Sequence, residues 1–212
     1  MIRDVSGVLL AGGKSRRMGT DKRFLAIGGG TMLERSCNVL SNMFDRVCIV
    51  IAQDSPALEA RIPVIRDLVP FCGSLGGLYT GLQQAMTKHI FLAACDMPFI
   101  HAGLVEYMVG KKDESDVVLA YWNGRPQPTH AVYSRNCLPV VEALMHSGNL
   151  KIQRLVTNPT LRVRLVTEEE IRTIDVEGRS FLNVNTPSDL DRARAIFGDQ
   201  LEDRYGDFPK LA

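Results

Sequence analysis

A chain of 212 residues, 45% hydrophobic and 23% charged, can bury the core of one sizeable α/β domain. Its 25 basic and 24 acidic side chains leave a net charge of +1, which gives no footing for a nucleic acid or an acidic membrane as partner. Five cysteines, an odd number with no C-x-x-C, argue against a disulfide framework or a zinc site, and no apolar run approaches the ~20 residues of a membrane span. In chain order, Val5–Leu10 reads as a buried strand. Thr31 with Glu34 forms a capping-box pattern that opens a helix running to about residue 42. Val47–Ile51 is a short strand rich in β-branched residues. Residues 74–86 have helical apolar spacing, weakened by Gly76, Gly77 and Gly81. Residues 90–94 read as another buried strand, and 117–121 and 131–133 as two more around a turn at Asn123-Gly124. Thr167 with Glu170 gives a second capping box, and Thr186 caps a last helix that has Pro187 in its first turn and runs to about residue 197.

The alternation predicts one domain over residues 1–198, with helices on both faces of a mainly parallel sheet and functional loops at the carboxyl ends of its strands. Residues 199–212, mixing charge, Gly and Pro, are expected to form a poorly ordered tail. Met1-Ile2-Arg3-Asp4 begins no signal-peptide core, so a cytoplasmic setting is expected.

The first strand empties into LAGGKSRRMGTDK, residues 10–22. Gly12, Gly13 and Gly19 let the backbone approach a ligand, and Lys14, Arg16, Arg17 and Lys22 surround it with positive charge. Such a loop suits a small anion, most often a phosphate. It is not a Walker A loop, because position 8, where the first glycine would fall, is Val. It has no G-x-G-x-x-G either, and a plain strand-to-helix turn is the competing reading of its glycines. Asp96, at the exit of the strand over 90–94, is suited to Mg²⁺ or, alternatively, to capping the turn before Pro98. Asn183 and Asn185 alternate and so share one face of an extended segment, where they could bind a ligand or cap the next helix. Cys72 and Cys95 lie near these segments and read as packing residues.

The loop 10–22, together with Asp67 followed by Gly73-Ser74-Leu75-Gly76-Gly77, Cys95-Asp96-Met97-Pro98 and Asn183-Val184-Asn185-Thr186-Pro187, resembles the molybdenum cofactor guanylyltransferases, the MobA family of nucleotidyltransferases, from about residue 5 to 197. The resemblance implies a single-domain, Rossmann-like three-layer α/β sandwich of the nucleotide-diphospho-sugar transferase type. It implies transfer of GMP from GTP to the molybdenum-molybdopterin cofactor, with pyrophosphate leaving and Mg²⁺ as cofactor. By the same resemblance, the backbone of Leu10, Ala11, Gly12 and Gly13 lines the base and ribose. Arg17 and Lys22 face the phosphates and, with the metal-binding Asp96, carry the catalysis. Asp67 contacts the nucleotide, and Gly73, Gly77, Asn183 and Asn185 contact the acceptor, with residues 125–129 as a loop on that side. Other molybdenum-cofactor biosynthesis proteins and molybdoenzyme chaperones are the implied protein partners. Ser74 and Gly76 depart from the family's usual Pro and Ala. The alternatives are a molybdopterin cytidylyltransferase, a sugar-phosphate nucleotidyltransferase, or a non-catalytic module that delivers cofactor. Gly12 is expected to favour guanine by leaving no side chain beside the base, and the cytidylyl relatives carry Ala there.

Overall fold

The computed structural model of the chain describes residues 1–12 and 21–205. In chain order the elements are β1 (Val5–Leu10), a small hairpin of β2 (Ala26–Ile27) and β3 (Gly30–Thr31), α1 (Met32–Met43), β4 (Val47–Ile51) and β5 (Val64–Arg66). Then come α2 (Gly73–Gln84), β6 (His89–Ala94), α3 (Ala102–Val109), β7 (Val117–Trp122), β8 (Arg125–Ser134) and α4 (Leu138–His146). The chain closes with β9 (Val163–Val166), α5 (Glu168–Arg172) and α6 (Pro187–Tyr205), so the last helix continues past residue 197 into the segment expected to be a tail. Both capping boxes are present, with the Thr31 and Thr167 hydroxyls accepting from the backbone of Glu34 and Glu170 and the two carboxylates returning to the cap N–H groups.

Seven strands form one sheet in the order β5-β4-β1-β6-β8-β7-β9. The half from β5 to β6 is parallel throughout, β8 runs antiparallel to both β6 and β7, and β7 and β9 are parallel again. Alternate residues of each central strand point to opposite faces. Phe91 and Ala93 of β6 enter a core with Leu40 of α1, Leu104 of α3 and Ala193 of α6, whereas Ile90 and Leu92 pack against Leu75 and Leu82 of α2 and Val141 of α4. Burial on both faces is why these strands read as unbroken apolar runs.

The start of β8 differs from the sequence expectation. Residues 125–129 are not a loop but the first half of the ten-residue β8, joined to β7 by Asn123 and Gly124 at φ 49° and 72°. Two successive positive φ values make the tight turn whose twist suits a hairpin. The glycines that weakened the α2 prediction are what allow the helix to lie so close to the sheet. A Cβ on Gly81 would meet Val8 Cγ1 at 2.9 Å, and one on Gly77 would meet Leu10 Cδ2 at 2.6 Å. Among the described residues no helix is long and apolar enough to cross a membrane.

Candidate active site

Strand register brings the functional segments to one edge of the sheet. Leu10 of β1 lies opposite Val50 of β4 and Ala94 of β6, and Ile51 lies opposite Arg66 of β5. The ladder continues one step beyond the strands, through Ala11 N–H to Val50 O (2.9 Å), Cys95 N–H to Leu10 O (2.9 Å) and Asp67 N–H to Ile51 O (2.8 Å). Ala11, Asp67 and Asp96 therefore leave the sheet at nearly the same height, at the carboxyl ends of parallel strands, where open α/β sheets bind ligands.

A cleft of about 520 Å³ opens at this edge. Its walls include Leu10, Ala11, Gly12, Lys22, Asp67 and Asp96. Gly73, Gly77, Asn183 and Asn185 complete the expected set, so the structure brings together every sequence-expected site residue that it describes. Gly13 and Arg17 lie outside the described residues. The first half of β8 forms the opposite wall, through residues 125–129. The wall also includes Arg23, Ile152 and Gln153, which the sequence reading did not select. Arg23 directly follows the loop 10–22, but nothing in its spacing signals that it folds inward.

Lys22 Nζ donates to Asn185 Oδ1 at 2.7 Å, across 163 residues of sequence. Asn185 is spared for this contact because α6 is capped by other groups. Asp189 accepts from the N–H groups of Asn185 and Thr186 at 2.9 and 2.8 Å, and the Thr186 hydroxyl accepts from Asp189 N–H. Val184, fully buried between the two asparagines, donates its N–H to Asp96 O at 2.9 Å. One short extended segment is thus anchored to the strand exit through its backbone while both amides face the cleft.

The two cleft carboxyls sit in different surroundings. Burial raises the pKa of Asp96, and the positive charge of Lys22 opposes that rise. Asp67 is 9% exposed, and burial pushes its carboxyl up to about 6 against a 3.3 Å hydrogen bond from the Thr80 hydroxyl. Among the described residues no three His, Cys, Asp or Glu side chains gather into a metal-binding group. A carboxylate such as Asp96 lining this cleft fits an ion such as Mg²⁺, which is held by one or two carboxylates together with phosphate oxygens and water. It does not fit a closed structural metal site. Burial holds the Cys95 thiol at about 12, so this cysteine is inert packing beside Asp96.

The glycines of the site have specific neighbours. Gly73 adopts φ 56° at the start of α2, a conformation that favours glycine. A Cβ on Gly76 would stand 2.8 Å from Cys72 Cβ, so the departure from the family's Ala is matched to the cysteine one turn earlier. Gly12 also has a packing reason to be glycine, beside the expected gap for the base. A Cβ there would stand 2.8 Å from Ala52 N, a backbone atom just past β4. Gly12→Ala should therefore destabilise the fold by about 1–3 kcal/mol through overpacking, seen as a lower Tm, with the ratio of kcat/KM for GTP and CTP nearly unchanged.

Comparison with known proteins agrees with this geometry. The family profile of the MobA-like NTP transferase domain matches residues 7–163. The chain belongs to the MobA-like NTP transferase family. The molybdenum cofactor guanylyltransferase of Desulfosudis oleivorans is 36% identical to it over 193 residues, covering 90% of this chain and 95% of the relative. That of Syntrophotalea carbinolica is 32% identical, covering 89% and 90%. Among solved structures, molybdopterin-guanine dinucleotide biosynthesis protein A from Archaeoglobus fulgidus superposes with a TM-score of 0.81 at 28% identity, over 92% of this chain and 100% of that one. The family's fold extends to more distant proteins. The 2-C-methyl-D-erythritol 4-phosphate cytidylyltransferase of Thermus thermophilus superposes with a TM-score of 0.66 at 19% identity.

Proposed function

We propose that the protein is a magnesium-dependent guanylyltransferase that joins GMP from GTP to the molybdenum-molybdopterin cofactor in the cytoplasm and releases pyrophosphate. The observation that carries this reading is the meeting of Lys22, Asp67, Asp96 and the Asn183–Asn185 pair around one cleft, in a chain whose relatives along nearly its whole length are molybdenum cofactor guanylyltransferases. The test is pyrophosphate release from each of the four NTPs with and without molybdopterin. Release from GTP that requires molybdopterin is the expected result, and equal use of CTP would overturn the guanylyl assignment.

The chemistry is a problem of charge, since an anionic phosphate must attack the α-phosphate of an anionic triphosphate. The acceptor phosphate is already ionised at neutral pH, so the site needs position and positive charge rather than a general base. Lys22, held by Asn185, presents a fixed ammonium to the phosphates, and Arg17 adds a guanidinium from the loop. The Leu10–Gly12 edge receives the nucleoside, and Gly73, Gly77 and the two asparagines receive the acceptor. Asp96 would hold Mg²⁺ jointly with the phosphates. When bound, the ion supplies neutralisation of the charge that develops on them.

Asp67 gives the reading a pH signature. As a carboxylate it can accept from the amide and amino groups of guanine; as an acid it cannot accept both. With its pKa at about 6, GTP affinity should fall about tenfold per unit as pH drops below that point, and Asp67→Asn should abolish this dependence in calorimetric titrations. For the ligand-free fold the sign is opposite. Because the folded pKa is raised, the stability contributed by protonated Asp67 is full below its ordinary value of 3.8 and is lost as pH rises through about 6.

A further inference from the structure

Arg23 is a charged cleft residue that no role yet explains. It is 8% exposed, and it lies close enough to Cys95, the neighbour of Asp96, for its charge to act on that thiol. Its guanidinium is half used. Nε donates to Asp21 Oδ1 and Oδ2 at 2.9 and 3.0 Å, and Nη2 donates to Oδ2 at 2.5 Å. Nη1 is buried and has no hydrogen-bond partner among the described residues. The turn itself enforces this, because Asp21 also accepts from the Arg23 backbone N–H at 3.1 Å and so both caps the turn at Lys22–Phe24 and aims the side chain. A buried guanidinium N–H without an acceptor is costly, and because Arg23 lines the cleft a ligand atom there is its simplest acceptor. The fork of a guanidinium matches an oxyanion, and the neighbouring side chain, Lys22, already faces the same space.

We propose that Arg23 is a further phosphate-binding residue of the cleft, with Nη1 donating to a non-bridging phosphate oxygen of a substrate and Asp21 acting as the positioning carboxylate. The proposal deepens the nucleotidyltransferase reading and rests on it for the identity of the phosphate, which belongs either to the triphosphate or to the acceptor. Calorimetric titration of inorganic pyrophosphate and GTP into the parent and Arg23→Gln separates the sources from each other. A loss of about tenfold or more for pyrophosphate and GTP assigns Nη1 to the triphosphate. Unchanged titrations with a KM for molybdopterin raised by a similar factor, at a kcat measured under saturation that stays near the parent value, assign it to the acceptor.

Arg23→Gln leaves Asp21 unpaired and can lower Tm on that account alone. The double variant Asp21→Asn/Arg23→Gln removes both partners and keeps the binding test valid. Arg23→Lys, which cannot hold Asp21 and reach the ligand together, should recover only part of the affinity. If both glutamine variants fold and match the parent in pyrophosphate affinity, GTP affinity and molybdopterin KM, the proposal is wrong. Pyrophosphate binding is measured without turnover, so this outcome is separable from failure of the parent to release pyrophosphate from GTP, which would instead overturn the proposed function.

Discussion

Asp96→Asn should lower the kcat of pyrophosphate release by about a hundredfold or more while leaving the protein folded, the scale of loss seen when one group stabilising transition-state charge is removed. The substitution keeps size and shape and removes only the charge. The backbone tie from Val184 N–H to Asp96 O does not involve the side chain and survives. Burial penalises the ionised form of this carboxyl, so its neutral replacement should hold or slightly raise Tm. Loss of turnover with retained stability is the pattern of a functional group kept at a cost to the fold. The measurement is kcat at saturating GTP over a range of Mg²⁺ concentrations, paired with a thermal melt. Near-parental turnover in the folded variant would remove Asp96 from the metal role.

The largest effect on stability is expected away from the cleft, at Gly178. It adopts φ 62° and ψ 35° before the short turn Arg179–Phe181, and an added Cβ would stand 2.1 Å from Cε2 and Cζ2 of the Trp122 ring. That ring cannot withdraw, because it stacks on Phe181 at 5.6 Å and carries the Arg172 guanidinium at 4.7 Å on its face. Left-handed strain and overpacking therefore act together in Gly178→Ala, for a loss of about 3 kcal/mol. In a chain of this size that lowers Tm by about 10 °C. The disturbance also leads towards the site, since Trp122 O accepts from Gln127 Nε2 at 3.4 Å and Gln127 lines the cleft. Urea unfolding with an unchanged m-value would show that the effect is on the native state, and a variant as stable as the parent would contradict this account.

These two residues mark what the sequence made legible. The position of Asp96 at the exit of an apolar strand is a local pattern, although its metal role came from the family resemblance, and β1 and β4 were bounded correctly because short apolar runs are local too. Both helix-capping boxes and the shared face of Asn183 and Asn185 are likewise set within a few residues. Gly178 carried no such signal, because its need for glycine comes from Trp122, more than fifty positions earlier in the chain. The inward fold of Arg23 and the crowding at Gly12 were missed alike. What surrounds them is the cleft floor and the Ala52 backbone, which only the tertiary fold supplies. The first half of β8 read as a loop because Pro126 and Pro128 weaken a strand pattern, although β8 still pairs with β7 at Pro126.

The hydrogen bond between Lys22 and Asn185 joins the beginning of the chain to a segment that lies beyond residue 163, where the family profile ends. During synthesis, the ammonium that faces the phosphates emerges early and waits for most of the polypeptide before its amide partner exists. A nascent chain stopped at residue 163 would contain β1, β4, β6 and Asp96 and yet lack both Asn185, which accepts from Lys22, and the Val184 tether. Competence to grip a nucleotide is in this sense a late event in the birth of the protein. Ribosome-bound chains of increasing length should acquire GTP affinity only after residue 185 has cleared the exit tunnel.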